Sequence, residues 1–130
     1  MTNKKRTESD SIGIKKIDSK KMWGAQTQRS LENFKISNDK MPKEIIVALG
    51  MQKKAAALAN QNLGLISKKF SKAIVKACDQ VINLNLLDEF PLSVWQTGSG
   101  TQTNMNANEV ISNYAINILK GKIGSKSPIH

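Results

Sequence analysis

The apolar positions of this chain change period along its length. Ile12, Ile14 and Ile17 sit among Gly13, Lys15, Lys16 and Asp18, a partly alternating pattern that predicts a short strand or extended arm. From residue 42 the spacing becomes helical. Pro42 suits a first turn, Gly64 supplies a stop, and Ile45, Leu49, Ala56, Ala59 and Leu63 recur at spacings of three, four or their sum, with Gln52 as the gap. A helix over 42–63 with one buried stripe is expected. Its alanine-rich stretch, 55–59, either permits close approach of another helix or reflects helix propensity alone. In a second helix Ser67 is the candidate cap, and Phe70, Ile74, Ala77, Val81 and Leu84 share one side until Asp88 and Pro91 end it. Lys68, Lys69, Lys72 and Lys76 fall mainly on the other side, as a solvated face. A third helix should run from about 102 to 120, with Val110, Ile111, Tyr114, Ala115 and Ile118 apolar and Gly121 just past its end.

Nearer the N-terminus, Thr27 is the candidate cap of a short helix reaching Phe34, and Trp23 and Phe34 are packing residues. Residues 1–10 offer almost nothing apolar to bury and read as a mobile tail. The expected fold is mainly α, a helical domain over 11–130 with a short β or extended N-terminal arm. At 130 residues the chain has enough material for one modest core.

The formal charge of +10 raises nucleic acid, an anionic membrane surface or an acidic substrate as partners. The distribution argues against the first. Of the 20 basic residues only Arg6 and Arg29 are arginine, the lysines are scattered rather than gathered on one stripe, and aromatic stacking partners are few. Cys78, the single cysteine, excludes an internal disulfide and falls on an apolar helical face, where a buried inert thiol is expected. One His and one Cys without ligand spacing make no metal site. The polar N-terminus has no signal-peptide core, and no segment approaches membrane-spanning length, so a cytoplasmic protein is expected.

Candidate chemistry concentrates at residues 94–110. Gly98 and Gly100 bracket Ser99, Thr97 and Thr101 flank them, and a helix begins just beyond. Glycine lets the backbone approach a ligand, and the first N–H groups of a helix lack internal partners and carry partial positive charge. Such a place suits a small carboxylate or phosphate, with the Ser99 and Thr101 hydroxyls as added donors. No Lys completes a phosphate-binding loop and no third glycine a dinucleotide fingerprint, so on spacing alone an ordinary Gly-rich helix cap stands beside the ligand site. Asn104, Asn106, Asn108 and Glu109 follow around Met105. They read either as caps or as a hydrogen-bonded support that, with Thr97 and Gly98, fixes the loop.

Trp95-Gln96-Thr97-Gly98-Ser99-Gly100-Thr101, followed by Asn104-Met105-Asn106 and Asn108-Glu109, resembles the first signature region of class II fumarate hydratases in the fumarase and aspartase superfamily. Related aspartases usually carry Gly-Gly-Ala-Gly-Thr in this loop. A second block, Met22-Trp23-Gly24-Ala25-Gln26-Thr27-Gln28-Arg29-Ser30-Leu31-Glu32-Asn33-Phe34, is similar to the N-terminal motif of the same enzymes, and Asp88-Glu89-Phe90-Pro91-Leu92 to the approach to their substrate loop. The likeness runs from about Asp10 to the end. It departs at Tyr114, where the family usually has Arg, which bears on a structural contact more than on the loop.

The resemblance implies reversible hydration of fumarate to L-malate in the tricarboxylic acid cycle, with Ser99, Gly100 and Thr101 gripping a substrate carboxylate and no metal or organic cofactor. It implies a homotetramer whose active sites each draw on three subunits. The family's catalytic Ser, its partner His, and the Lys and Asn ligands come from later sequence. This chain therefore reads as an N-terminal domain that stops before the central helix bundle and is inactive alone. His130 aligns with the His that opens the family's His-Pro-Asn-Asp motif and lines a second dicarboxylate site; as the terminal residue it is expected to lack anchoring. The alternatives are a non-catalytic helical interaction module, the remnant of a disrupted gene and, further off, a basic nucleic-acid binder.

Overall fold

Alternating polar and apolar residues at the start of the chain build a hairpin that polar groups, more than apolar ones, hold in place. The computed structural model describes residues 4–130. Strands β1 (Lys5–Asp10) and β2 (Gly13–Asp18) pair antiparallel, in register from Lys5 opposite Asp18 to Asp10 opposite Gly13. Residues 5–10 are thus a strand and not the tail expected from their polarity; residues 1–3 lie outside the described residues. Side-chain hydrogen bonds replace apolar burial there. The Arg6 guanidinium donates to the carbonyls of Asp18 at 3.0 Å, Lys21 at 2.6 Å and Trp23 at 2.6 Å, and pairs with the Glu8 carboxylate at 2.7 Å. Asp10 closes the turn by accepting the Ile12 and Gly13 amides, and Arg29 grips its carboxylate with two donors at 2.7 and 3.1 Å. Of the three hairpin isoleucines only Ile17 is buried; Ile12 and Ile14 face solvent.

Helices α1 (Ala25–Asn33), α2 (Lys43–Asn62), α3 (Lys68–Ile82) and α4 (Thr101–Ile118) follow, with a 3-10 turn at Leu87–Glu89 between the last two. The core lies where α2, α3 and α4 meet, around Ile46, Ala77, Cys78, Val81, Val110, Ala115 and Ile116, with Ile17, Trp23, Phe90 and Ile129 added from the flanking segments. The architecture is mainly helical, as the periodicity predicts, with a two-stranded hairpin in place of the single short strand or extended arm expected.

Three local expectations are corrected. On α2 the buried positions are Ile46, Gly50 and Ala57, one step round from the expected stripe; Ile45 is 46% and Leu63 72% exposed. Close approach of α3 selects this face, since a Cβ built on Gly50 would lie 3.0 Å from Ile82 Cγ1. Small residues decide the contact, whereas a stripe read from large apolar side chains points to a neighbouring face. Helix α3 starts at the Ser67 cap, whose hydroxyl accepts the Phe70 amide, but ends at Ile82, well before Asp88. It stops because Leu84 adopts a left-handed φ of 61° and the Leu84 and Asn85 amides turn back onto the Val81 and Gln80 carbonyls. That device carries no Gly or Pro marker.

The third correction concerns the start of α1. Its N-cap is Gly24, which has no side chain to offer, and Thr27 lies inside the first turn. The cap comes from 85 residues away: Glu109 on α4 accepts the amides of Gly24 at 2.9 Å, Gln26 at 2.8 Å and Thr27 at 3.1 Å, and the Thr27 hydroxyl at 2.5 Å. Glycine is required by space. A Cβ at Gly24 would stand 2.8 Å from both the Glu109 and the Glu8 carboxylates.

Two outcomes are expected. Glu109→Ala leaves the first amides of α1 without their acceptor and should lower stability by about 3 kcal/mol, read from urea unfolding; a loss under about 0.5 kcal/mol would mean that water caps α1 equally well. The Asp10 carboxyl is held down at about 2, first by its hydrogen bonds from Arg29 and then by the Ile12 and Gly13 amides, against an ordinary value of 3.8. Its folded form titrates below its unfolded form, so the stability it contributes is complete above about pH 4 and is lost as pH falls through about 2. Asp10→Asn should flatten that part of the acid-unfolding curve, and an unchanged curve would remove the Arg29 pair from the acid response.

Candidate functional site

The segment entering α4 is pinned before it becomes a loop. Phe90 and Leu92 are buried, and the Ser93 hydroxyl donates to the Ile36 carbonyl at 2.6 Å while accepting the Trp95 amide at 3.1 Å. Beyond this anchor the chain is exposed at Thr97, Gly98 and Ser99, and Gly100 takes a left-handed φ of 69° to open the helix. That conformation is the physical reason for glycine at the helix start. The hydroxyls of Thr97, Ser99 and Thr101 form a ladder, 3.3 Å between the first two and 3.1 Å between the last two.

At the start of α4, Gly100 supplies no capping side chain. The Thr103 amide donates instead to Gln96 Oε1 at 3.0 Å, and the Asn104 amide to the Gly100 carbonyl at 3.2 Å. The Thr101 and Gln102 amides have no partner among the described residues. Two N–H groups at the positive end of a helix dipole therefore lie beside the Ser99 and Thr101 hydroxyls, an arrangement suited to a carboxylate.

The polar residues after the loop reach elsewhere. Asn104 Oδ1 accepts Lys53 Nζ from α2 at 2.7 Å, and Asn106, almost fully buried, donates to the Glu89 carbonyl at 2.9 Å. Asn108 makes a 3.6 Å contact with the Met105 sulfur, and Glu109 caps α1. Their side chains thus tie α4 to α2, to the 3-10 turn and to α1, and none bonds the side chains of Thr97, Ser99 or Thr101. Sequence reasoning misses the residues that do brace this turn. They are Gln96, Lys53 and Ser30, whose hydroxyl donates to Gln102 Oε1 at 2.8 Å. Only Gln96 stood close enough in sequence to be found, as a polar residue before a helix start without its own cap.

His130 is placed apart from the loop. It lines a cavity of about 500 Å³ with Lys53, Asn108, Lys126 and an apolar wall that includes Phe70 and Ile74, and no residue of 97–101 lines it. The segment before it is anchored: Ile129 is buried and its carbonyl accepts the Ser112 hydroxyl at 2.8 Å. Among the described residues no cluster of His, Cys, Asp and Glu has the makings of a metal site, and no helix is long and apolar enough to cross a membrane. Cys78 is fully buried, and burial, with the charge of Asp79 second, pushes its thiol up to about 11.

These features coincide with a known family. The chain belongs to the lyase family, whose model matches residues 13–129. It is similar to the class II fumarate hydratase of Helicobacter pylori strain J99, 55% identical over 125 residues that make up 96% of this chain and 27% of that protein. Similarity to the Rhizobium meliloti class II fumarate hydratase is 56% over 125 residues, with the same coverage of 96% and 27%. Among solved structures, recombinant class II fumarase from Schistosoma mansoni superposes with a TM-score of 0.93 at 46% identity, over 98% of this chain and 27% of that one. The chain thus spans about a quarter of the length of these relatives, corresponding to their N-terminal region.

For Cys78 the expected outcome is slow chemistry. A thiol-specific disulfide reagent at pH 8 should react on the order of 100-fold more slowly with the folded chain than with the chain in denaturant. Equal rates would mean that the helices around Cys78 open readily.

Proposed function

We propose that this chain supplies part of a class II fumarate hydratase, in which Ser99, Gly100 and Thr101 hold one carboxylate of fumarate or L-malate during reversible hydration. The observation that carries the reading is the opening of α4: a left-handed Gly100, two amides without a partner among the described residues and a hydroxyl ladder lie together on an exposed turn. The likeness to class II fumarate hydratases gives that turn its substrate class. Hydration needs a base that removes a weakly acidic proton beside a carboxylate and fixed donors that stabilise the resulting charge. Ser99, Gly100 and Thr101 bind and orient; they are not the base. The base and the other ligands belong to polypeptide outside these 130 residues, so the chain alone is inactive and works in a cytoplasmic homotetramer. His130, one of the residues lining the cavity already described, would contribute to a second dicarboxylate site.

Fumarate hydration, followed by loss of ultraviolet absorbance, tests this with the purified chain alone and with a supplied fragment carrying the remainder of a class II enzyme. Activity only on mixing is expected. Activity of the chain alone would overturn the assignment of the catalytic groups. Silence in both, with folding and association demonstrated, would favour a non-catalytic helical module. In a complete enzyme carrying this segment, Thr101→Val keeps the volume and removes the hydroxyl, and kcat/KM should fall by about 10- to 100-fold. Unchanged turnover and KM would take Thr101 out of the carboxylate site.

A further inference from the structure

Gln96 lies outside the residues that the carboxylate site assigns, yet its side chain holds that site's helix. Its Oε1 accepts the Thr103 amide at 3.0 Å and its Nε2 donates to the Ser93 carbonyl at 3.0 Å. One end is therefore fixed to the third residue of α4, and the other to the serine that anchors the incoming segment through Ile36. The helix needs such a brace because its N-cap, Gly100, has no side chain. Two further bonds hold the same turn, from Ser30 to Gln102 and from Lys53 to Asn104. Only the Gln96 bond involves a helix amide. The Thr103 hydroxyl, on this same turn, is the one buried side-chain polar atom without a partner among the described residues.

We infer that Gln96 is a positioning residue for dicarboxylate binding: it occupies the Thr103 amide and so fixes the turn with the Thr101 and Gln102 amides, and no others, turned toward the ligand. The inference rests on the carboxylate reading of the Ser99 to Thr101 loop. Gln96 acts through the helix and the loop, not by touching the substrate. An amide acceptor at this position suits the task better than a carboxylate, whose charge would repel the anion from a short distance.

The test uses the 15N-labelled chain assembled with the fragment that carries the remainder of a class II enzyme, and succinate as an unreactive dicarboxylate probe. In the unmodified chain the Thr101 and Gln102 amide signals should shift saturably with succinate, and the Thr103 amide should exchange slowly with solvent. In Gln96→Leu, with similar volume and no acceptor, Thr103 exchange should accelerate about tenfold, the change that accompanies about 1.4 kcal/mol, and succinate should bind about fivefold or more weakly. In Gln96→Glu an acceptor returns but the bond to the Ser93 carbonyl is lost, so Thr103 protection should recover in part while the added charge keeps succinate binding weak. Faster Thr103 exchange in Gln96→Leu with undiminished succinate affinity would leave Gln96 a structural cap and overturn the positioning role. Unchanged exchange would overturn the capping role as well. If the unmodified chain shows no succinate-dependent shifts at Thr101 and Gln102, the carboxylate reading fails first and takes this inference with it.

Discussion

One carboxylate, that of Glu109, sets the position of α1 and through it the geometry of the candidate loop. Gly24 must be glycine to admit it, and having no side chain, Gly24 leaves the helix start to be capped by a distant residue. Four donors converge on Glu109, three of them amides at the positive end of the α1 dipole. Charge-assisted bonds of this kind are the stronger class, and leaving their donors unmatched costs more than making them gains. Because α1 runs back along α4, fixing its first turn at Glu109 also sets Ser30, one turn further on, against Gln102. The first turn of α4 thus depends on a bond made near the middle of the same helix.

Polar networks and apolar packing divide the molecule between them. Helices α2, α3 and α4 are joined by close-packed small and branched side chains. The two arginines anchor the hairpin: Arg6 ties it to the segment before α1 through three backbone carbonyls and a carboxylate, while Arg29 on α1 takes both oxygens of Asp10. Planar, multidentate guanidinium explains why these two positions are Arg in a chain otherwise supplied with lysine. It also separates the high net charge from nucleic-acid recognition, since neither guanidinium is free to read phosphate.

What could be read from the sequence follows the same division. Helices α3 and α4 were legible because their apolar residues repeat with the helical period. The face of α2 was not, because Gly50 and Ala57 make its contacts and the larger Ile45 and Leu63 stay exposed. Strand β1 was hidden by its polarity, as its fixing bonds join residues 12 to 17 positions apart. At the loop, Gly100 and the hydroxyls announced a helix start that could meet an anion. The partners of Asn106 and Glu109 were out of reach of any local pattern, being set by where α1 and the 3-10 turn arrive in space.

The two glycine-capped helices clarify each other. Both α1 and α4 begin at a glycine without a capping side chain, and both borrow an acceptor from elsewhere in the chain. The borrowed groups differ in charge and in reach. Glu109 takes three amides and a threonine hydroxyl, which leaves the start of α1 already matched to a carboxylate. Gln96 is neutral and takes a single amide, the third, which leaves the first two and the Ser99 and Thr101 hydroxyls without an anion to bind. The start of α1 therefore displays, with a residue of the protein itself, the donor set that the proposed function requires at α4 for a substrate: adjacent backbone amides, a threonine hydroxyl and the positive end of a helix dipole. What separates the two starts is how many amides the borrowed side chain occupies, three for Glu109 and one for Gln96, and the proposed function requires the smaller number at α4 so that an external acid can bind.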